Sequence, residues 1–315
     1  MVLFWIVVVF LLAVLLGSFV TYQLTFAPKR RTAEEIMDSM PDKAQYAEHL
    51  DTMEKMFRDV LDTPYEDVWI ETEDGLRLHG KYYHTADGAP LQIFFHGYRS
   101  IAEFDGCGAL PFGRENGYNV LLVDQRAHGL SEGKCITFGI KESEDCVEWV
   151  DYARYRFGED VRIILYGMSM GAATVLMATE LDLPDNVECV IADCGYTSAK
   201  EIIQKVMRDR RLPVCIFYPI ARLGAKIFGG FDLNAGSAQR AMKHCNIPVL
   251  FIHGEGDHFV PYQMSRKNYR RCRAEGRMLL LVPEAGHGMS YLTDKETYFD
   301  TVKTFLHNQR TCLKQ

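Results

Sequence analysis

Short apolar segments recur along this chain and are separated by longer segments with helical periodicity. Each apolar segment has the length of one strand and is apolar at consecutive positions, as is typical of strands buried on both faces of a parallel sheet. These segments span residues 91–95, 119–124, 161–166, 187–193, 248–253 and 277–282. Helical patterns cover residues 101–116, 141–157, 172–179, 198–244, 261–274 and 292–307. Strands that alternate with helices predict a mostly parallel sheet covered by helices on both faces.

A different pattern precedes the first apolar segment. Residues 67–72 and 76–83 alternate between apolar and polar positions, and Glu73-Asp-Gly75 separates them. Alternation on both sides of a glycine-containing turn predicts a β-hairpin. The α/β sheet is therefore expected to begin with antiparallel strands.

The N-terminus carries the longest apolar run. Residues 1–28 contain no charged side chain, and residues 2–20 are almost continuously apolar. Nineteen helical residues span about 28 Å, which is close to the thickness of a bilayer core. We interpret residues 1–28 as a transmembrane helix. A cleaved signal peptide is the alternative, but no Lys or Arg precedes the run and no clear small-residue cleavage site follows it.

Polar residues follow the apolar run. The basic cluster Lys29-Arg30-Arg31 predicts a single-pass membrane protein with its catalytic domain in the cytoplasm, by the positive-inside tendency. Residues 29–65 carry apolar side chains at helical spacing, interrupted by Pro41, and predict an amphipathic linker of one short and one longer helix. Its methionines are interpreted as packing residues. Residues 66–315 are expected to form the remaining domain.

Composition narrows the functional classes. The 315 residues are 48% hydrophobic, enough for one large core. A net charge of −7 and no basic stripe argue against nucleic-acid binding. The nine cysteines include no closely spaced pair, so we expect free thiols in a reducing compartment and no metal site. No organic cofactor is implied, and the oligomeric state is not predicted.

The segment that carries the chemistry is Gly167-Met-Ser-Met-Gly171, between a buried strand and a helix of small and apolar residues. A serine in a sharp strand-to-helix turn needs neighbours without bulk, which Gly167 and Gly171 supply. The helix that follows directs its free N–H groups and dipole to the same place, so the Met170 N–H is expected to receive an oxyanion. A chance occurrence in a surface turn is the alternative, but a buried strand before such a pattern and an apolar helix after it are not common by chance.

From about residue 67 onward the chain resembles the α/β-hydrolase fold family, on this elbow and on two later loops. Gly254-Glu-Gly-Asp-His-Phe-Val-Pro261 resembles the family's acid loop, and Pro283-Glu-Ala-Gly-His-Gly-Met289 its histidine loop. The resemblance implies a triad of Ser169 as nucleophile, His287 as general base and acid, and Asp257 as the orienting carboxylate. Glu255 and Glu284 are the rival acids. His253, His258 and His79 are expected to be structural.

Two further segments match the same family. Phe95-His-Gly-Tyr-Arg-Ser100 resembles its oxyanion loop, which makes the Tyr98 N–H the partner of the Met170 N–H. The Tyr98 ring would narrow the acyl pocket. Residues 124–133 resemble a scaffold segment in which Arg126, His128 and Gly129 shape a buried turn; a catalytic His128 is the weaker alternative.

The expected function is that of a membrane-anchored serine hydrolase that cleaves a carboxylic ester or thioester. Residues 197–244 are where such enzymes carry a helical cap, and their apolar segment 212–223 suggests an acyl or lipid-like substrate, or else simple packing on the sheet. Amide cleavage by a serine peptidase and acyl transfer use the same residues. A non-catalytic binding protein on this scaffold is the alternative of another class. Cys194 is interpreted as a structural thiol.

Overall fold

The computed structural model describes residues 1–30, 35–36 and 46–312, with side chains up to residue 309. A sheet of eight strands lies at its centre, in the order β1-β2-β4-β3-β5-β6-β7-β8. The strands are β1 (Glu66–Glu71), β2 (Arg77–Tyr83), β3 (Leu91–Phe95), β4 (Asn119–Val123), β5 (Ile163–Met168), β6 (Val187–Asp193), β7 (Val249–Gly254) and β8 (Met278–Val282). β1 and β2 pair antiparallel, β2 pairs antiparallel with β4, and the other neighbours are parallel. The predicted sheet and its initial hairpin are confirmed.

The helices of the described chain connect these strands and cover both faces of the sheet. They are α1 (Val2–Thr25), α2 (Leu50–Leu61), α3 (Ala102–Asp105), α4 (Ala109–Glu115), α5 (Glu142–Phe157), α6 (Met170–Ala178), α7 (Ala199–Asp209), α8 (Val214–Gly229), α9 (Ala238–Ala241), α10 (Gln263–Arg271), α11 (Ser290–Thr293) and α12 (Lys295–Cys312). Side chains of β3 and β4 are buried throughout, as their continuous apolar runs predict.

Two predicted helices are each divided in two. The pattern over residues 101–116 forms α3 and α4, with the turn at Gly106, where an added Cβ would lie 2.6 Å from the Ala102 carbonyl oxygen. The terminal pattern forms α11 and α12. Asp294 separates them because its ψ of 78° is not helical and its carboxylate accepts a hydrogen bond from the Thr297 N–H at 3.1 Å. Periodicity alone does not show either break.

The apolar N-terminal segment forms one continuous helix, α1, with a mean hydropathy of 2.9. Within the described chain it is the one helix long and apolar enough to cross a membrane, a test that a signal sequence also passes. Its last turns pack against the rest of the described chain. Phe26 is fully buried, and the Tyr22 hydroxyl donates a hydrogen bond to the Lys134 carbonyl at 2.7 Å.

The segment expected to link α1 to the body is described in part. Helix α2 is amphipathic and buries Met53, Phe57 and Val60, which lie on one face at helical spacing. The predicted short helix before Pro41 lies largely outside the described residues. Ile36 and Tyr46, on either side of the undescribed part, are buried against Phe104 and Met289.

Candidate active site

Ser169 lies at the turn between β5 and α6, in a strained backbone conformation with φ 55° and ψ −110°. Its N–H donates to the Asp193 carbonyl at 2.8 Å, which ties the turn to β6. A Cβ on Gly167 would lie 2.2 Å from the Gly171 carbonyl oxygen, and one on Gly171 would lie 1.9 Å from the Phe95 carbonyl oxygen. Both glycines are therefore required by close backbone approach, as the sequence pattern predicts.

His287, in the loop after β8, contacts the serine. Its Nε2 is 2.9 Å from Ser169 Oγ, and its Nδ1 is 2.7 Å from Asp257 Oδ2. With the proton on Nδ1, the ring donates to Asp257 and accepts the Ser169 hydroxyl proton at Nε2. This chain of hydrogen bonds has the geometry that activates a serine hydroxyl.

Asp257 is held by four groups. Its Oδ1 accepts hydrogen bonds from the N–H groups of Phe259 at 2.9 Å and Val260 at 2.8 Å. Its Oδ2 is shared between His287 and the Nε2 of His253, at 3.1 Å. Burial opposes ionisation, but the two histidines outweigh it and hold the pKa of Asp257 well below its usual range. The carboxylate is thus ionised at neutral pH.

The electrostatics of His287 follow from its partner. Burial favours the neutral ring, but the Asp257 charge and hydrogen bond raise the pKa of His287 well above its usual value. Cys194 also contacts His287, and burial raises the pKa of its thiol to about 11. The thiol is therefore protonated at neutral pH, so Asp257 is the partner that stabilises an imidazolium.

The rival acids are exposed, whereas one of the other histidines contacts Asp257. Glu255, Glu284 and His258 are exposed, and none of them is a hydrogen-bond partner of His287 in the described chain. His253 is buried and braces Asp257, a role that its isolated position in the sequence did not indicate.

His128 is part of the scaffold near the site. Its Nε2 accepts a hydrogen bond from the Arg99 N–H at 3.0 Å, its Nδ1 donates to the Arg126 carbonyl, and burial lowers its pKa to about 4. Arg126 is buried against Asp145, with Nε 2.6 Å from Oδ2. A Cβ on Gly129 would lie 2.2 Å from Asp124 Cγ. These contacts match the expected buried turn.

The two predicted oxyanion donors belong to the segments that meet at Ser169. Met170 begins α6, so its N–H is at the helix N-terminus. Tyr98 follows Gly97, where an added Cβ would lie 3.3 Å from Ser169 Cβ. The Tyr98 ring stacks on Phe138 at 5.0 Å, and its hydroxyl donates to the Thr25 carbonyl at 2.8 Å. Its side chain is therefore directed to the end of α1.

A cavity of about 500 Å³ opens above Ser169. Its lining is mainly apolar, as is typical of small-molecule sites. Residues from α1, α2, α7, α8 and the loops around Ser169 line it, including Leu24, Met53, Met56, Tyr98, Phe138, Ile202, Ile203, Met207, Leu212, Phe217, Ala221 and Phe259. Met53 and Met56 thus line a cavity in addition to packing, which their spacing alone did not reveal.

Tyr46 is a further residue that sequence reasoning did not single out. It lines the cavity, and its hydroxyl donates a hydrogen bond to the His287 carbonyl at 2.9 Å. Burial raises its pKa to about 12, so it remains a neutral donor. Over the part of the chain that the structure describes, no group of three His, Cys, Asp or Glu side chains is arranged to hold a metal ion.

Comparison with known proteins identifies the family and relatives of this chain. The model of the prolyl oligopeptidase family matches residues 116–311, which include Ser169, Asp257 and His287. An esterase of Pyrococcus furiosus has a similar structure, with 26% identity and a TM-score of 0.64, over 80% of this chain and 93% of that one. The sheet order and this similarity establish the α/β-hydrolase fold.

Two curated relatives extend the comparison. The uncharacterized protein YqkD of Bacillus subtilis is 33% identical over 61% of this chain and 63% of its own length, so the match spans less than two thirds of that relative. The thiohydrolase AneE of Aspergillus aculeatus is 30% identical over 49% of this chain and 51% of its own.

Proposed function

Since this chain belongs to the prolyl oligopeptidase family and is a hydrolase of the α/β-hydrolase fold, we propose that it cleaves a carboxylic ester or thioester through an acyl-enzyme on Ser169. The observation that carries the proposal is the continuous hydrogen-bonded chain from Ser169 Oγ through His287 to Asp257, with distances of 2.9 and 2.7 Å. The similarity to an esterase agrees with it.

The reaction follows from this geometry. His287 Nε2 takes the Ser169 hydroxyl proton while Oγ forms a bond to the carbonyl carbon of the substrate. The negative charge that develops on the carbonyl oxygen is stabilised by the N–H groups of Met170 and Tyr98. His287 then gives its proton to the departing alcohol or thiol, which leaves the acyl group on Ser169. A water molecule, deprotonated by His287, releases the acid and restores the serine.

The cavity favours an apolar acyl group over a peptide. Two of its charged lining residues are engaged within the chain: Asp105 Oδ2 accepts from the Gly97 N–H at 2.6 Å, and the Arg99 guanidinium donates to the Leu24 and Ala27 carbonyls. Neither is oriented as a docking group for a peptide terminus. The family match nevertheless makes amide cleavage the second candidate, and the thiohydrolase relative supports thioesters.

A fluorophosphonate probe, which reacts with activated serines, tests the mechanism. We expect it to label the wild-type protein in detergent but not Ser169→Ala. Turnover of a p-nitrophenyl ester should be about 10³-fold or more lower in Ser169→Ala than in the wild type. Cys194→Ala serves as the control and should still be labelled. Equal labelling of the wild type and Ser169→Ala would exclude Ser169 as the nucleophile.

A matched substrate pair separates esterase from amidase. p-Nitrophenyl hexanoate and the p-nitroanilide of hexanoic acid differ only in the atom that leaves. An esterase is expected to hydrolyse the first and leave the second almost unchanged. Comparable kcat/KM values for both would favour the amidase.

We also propose that α1 is retained as a membrane anchor, with the body in the cytoplasm. Retention is supported by the burial of Phe26 and by the hydrogen bond of its carbonyl with the Ile136 N–H, at 2.8 Å. Removal of residues 1–28 as a signal sequence would expose the surface that these residues cover. The basic residues that follow α1 support the orientation.

A further inference from the structure

Helix α1 is long enough to cross a bilayer only if its packed part is counted. The fifteen residues Val2–Leu16 extend away from the body and are almost all exposed. At about 1.5 Å per residue they span about 22 Å, less than a bilayer core of about 30 Å. The following turns of α1, which pack against α8, must therefore supply the remaining length. The crossing of α1 and α8 then lies at the membrane surface or just within it.

The contact between α1 and α8 has the form found between membrane helices. Small residues let the backbones approach: a Cβ on Gly224 would lie 2.3 Å from the Ser18 carbonyl oxygen, and one on Gly17 would lie 3.6 Å from Ile220 Cγ2. Phe228 of α8 stacks edge-on against Phe19 of α1 at 5.2 Å between ring centroids.

The exposed face of α8 is largely apolar, and the Lys226 ammonium at its edge is paired with Asp232 at 3.1 Å. Ile216, Leu223 and Ile227 lie on one side of the helix and are 56%, 37% and 52% exposed. This face adjoins α1, whose apolar side chains are exposed as far as Leu24. An exposed apolar helix face next to a membrane-spanning helix is typical of a segment that lies in the bilayer interface.

The same two helices form one end of the cavity above Ser169. Thr21, Leu24 and Thr25 of α1 and Phe217 and Ala221 of α8 line it. Among the described lining residues, Leu24, Arg210 and Leu212 are the exposed ones, so the cavity opens between the end of α1 and the start of α8. The opening is therefore at the level where α1 enters the membrane.

Building on the function proposed above, we propose that the substrate is an acyl lipid of the bilayer, whose chain enters the cavity past Leu24 and Leu212, between the end of α1 and the start of α8, without leaving the membrane. The apolar cavity wall formed by Leu24, Phe217 and Ala221 would hold the chain, and the ester or thioester carbonyl would reach Ser169. Helix α1 would thus be both anchor and part of the binding site.

Surface dilution tests the route of entry. The full-length protein is reconstituted in phosphatidylcholine vesicles that contain p-nitrophenyl palmitate at a fixed bulk concentration. We expect the hydrolysis rate to fall in proportion to the mole fraction of the ester as phosphatidylcholine is added, while hydrolysis of water-soluble p-nitrophenyl acetate is unchanged. A palmitate rate that depends only on bulk concentration would overturn the proposal.

Two leucines of α1 provide a matched pair for the opening. Leu24 lines the cavity and is 64% exposed, whereas Leu16 does not line it and is 63% exposed. Leu24→Trp is expected to lower the ratio of palmitate to acetate kcat/KM about tenfold, because the indole narrows the opening; a tenfold change is about 1.4 kcal/mol. Leu16→Trp should leave that ratio unchanged. The same ratio in both variants would contradict entry past Leu24.

The position of α8 is tested independently of catalysis. In a Trp5→Phe background, Trp69 and Trp149 of the body give a constant fluorescence. Ile216→Trp should add a component that brominated phosphatidylcholine quenches, and Tyr155→Trp should add one that it does not quench, because Tyr155 is an exposed residue of α5. No quenching at position 216 would show that α8 does not lie in the membrane and would overturn the proposal. Fluorophosphonate labelling of the same samples distinguishes failure of the lipid-entry proposal from failure of the proposed hydrolase function. Labelled protein that shows neither surface dilution nor quenching at position 216 overturns lipid entry alone. Folded protein that is not labelled overturns the hydrolase function as well.

Discussion

Asp257 controls the protonation of His287, and this single charge sets the pH range of the proposed reaction. The Asp257 carboxylate raises the pKa of His287, so the neutral ring that accepts the serine proton prevails only above that raised value. We expect kcat/KM of the wild type to rise with pH to a plateau, with its midpoint above the ordinary histidine value of about 6.5.

Asp257→Asn should change both the rate and this midpoint. The amide leaves the imidazole without a negative partner, so the plateau falls by about 10⁴ and the midpoint moves to lower pH. Glu255→Gln, at the exposed rival acid, is the control and should keep the wild-type profile. The measurement is kcat/KM for p-nitrophenyl acetate between pH 5 and 9. An unchanged midpoint in Asp257→Asn would mean that Asp257 does not act on the base.

Gly171 is required by packing, and its replacement should be costly. The added Cβ of Gly171→Ala would lie 1.9 Å from the Phe95 carbonyl oxygen, so β3 and α6 must separate. We expect the free energy of unfolding to fall by about 3 kcal/mol or more. Overpacking a rigid core costs about 1–3 kcal/mol when side chains can adjust, and here the clashing atom belongs to the backbone, which cannot move aside as a side chain can.

Gly88→Ala is the control for that substitution. Gly88 has a positive φ of 69° but nothing within 4 Å of its added Cβ, so only backbone strain of about 1–2 kcal/mol applies. Urea unfolding of both variants in detergent compares the two costs. A smaller loss for Gly171→Ala than for Gly88→Ala would contradict the close approach of α6 to β3.

At the scale of elements, the sequence predicted the strands but did not predict that α1 packs on the body. Buried strands such as β3 and β4 are apolar at consecutive positions, so their pattern specifies both their length and their burial. Helix α1 is apolar on all sides, so its pattern specifies a membrane span but gives no face that packs on the body. Small residues such as Gly17 and Ser18 permit a close helix contact, but they do not identify the partner helix.

Substitution of Phe26, which directly follows α1, tests whether α1 is part of the folded body. It is fully buried between Phe138 and Phe231, with ring centroids 5.9 and 5.5 Å away. Phe26→Ala should destabilise the body by about 3–5 kcal/mol, because it leaves a cavity in an aromatic cluster. Thermal loss of fluorophosphonate labelling reports this stability. Phe10→Ala, at an exposed position of α1, should match the wild type; equal stability of all three proteins would show that α1 is only tethered.

The site was predictable where it depends on short-range geometry. The elbow glycines, the acid loop and the histidine loop are each a few residues long, and their contacts with one another follow from the parallel order of β5, β7 and β8. The contributions of Tyr46 and Leu24 were not predictable, because they come from segments whose position depends on tertiary packing. His253 looked like an isolated core histidine, and only the fold shows that it braces Asp257.

At the scale of the whole molecule, the orientation in the membrane determines which side of the bilayer the body occupies. Lys29 and Arg30 follow α1, and eight free cysteines are present in the described chain. Basic residues stay on the cytoplasmic side during insertion, and free thiols persist in a reducing compartment. Both arguments support the proposal that the body lies in the cytoplasm.

Two engineered cysteines, one in α1 and one in α5, decide the orientation. In a background with Cys107, Cys215 and Cys312 replaced by Ala, Val2→Cys lies in the first turn of α1 and Tyr155→Cys lies on the surface of α5, and both positions are exposed. A membrane-impermeant maleimide should label position 2 in intact cells and position 155 only after lysis. The opposite order would place the body outside the cytoplasm and confine the proposed lipid substrate to the outer leaflet. The expected order confines it to the inner leaflet, because the cavity opens on the side of the membrane where the body lies.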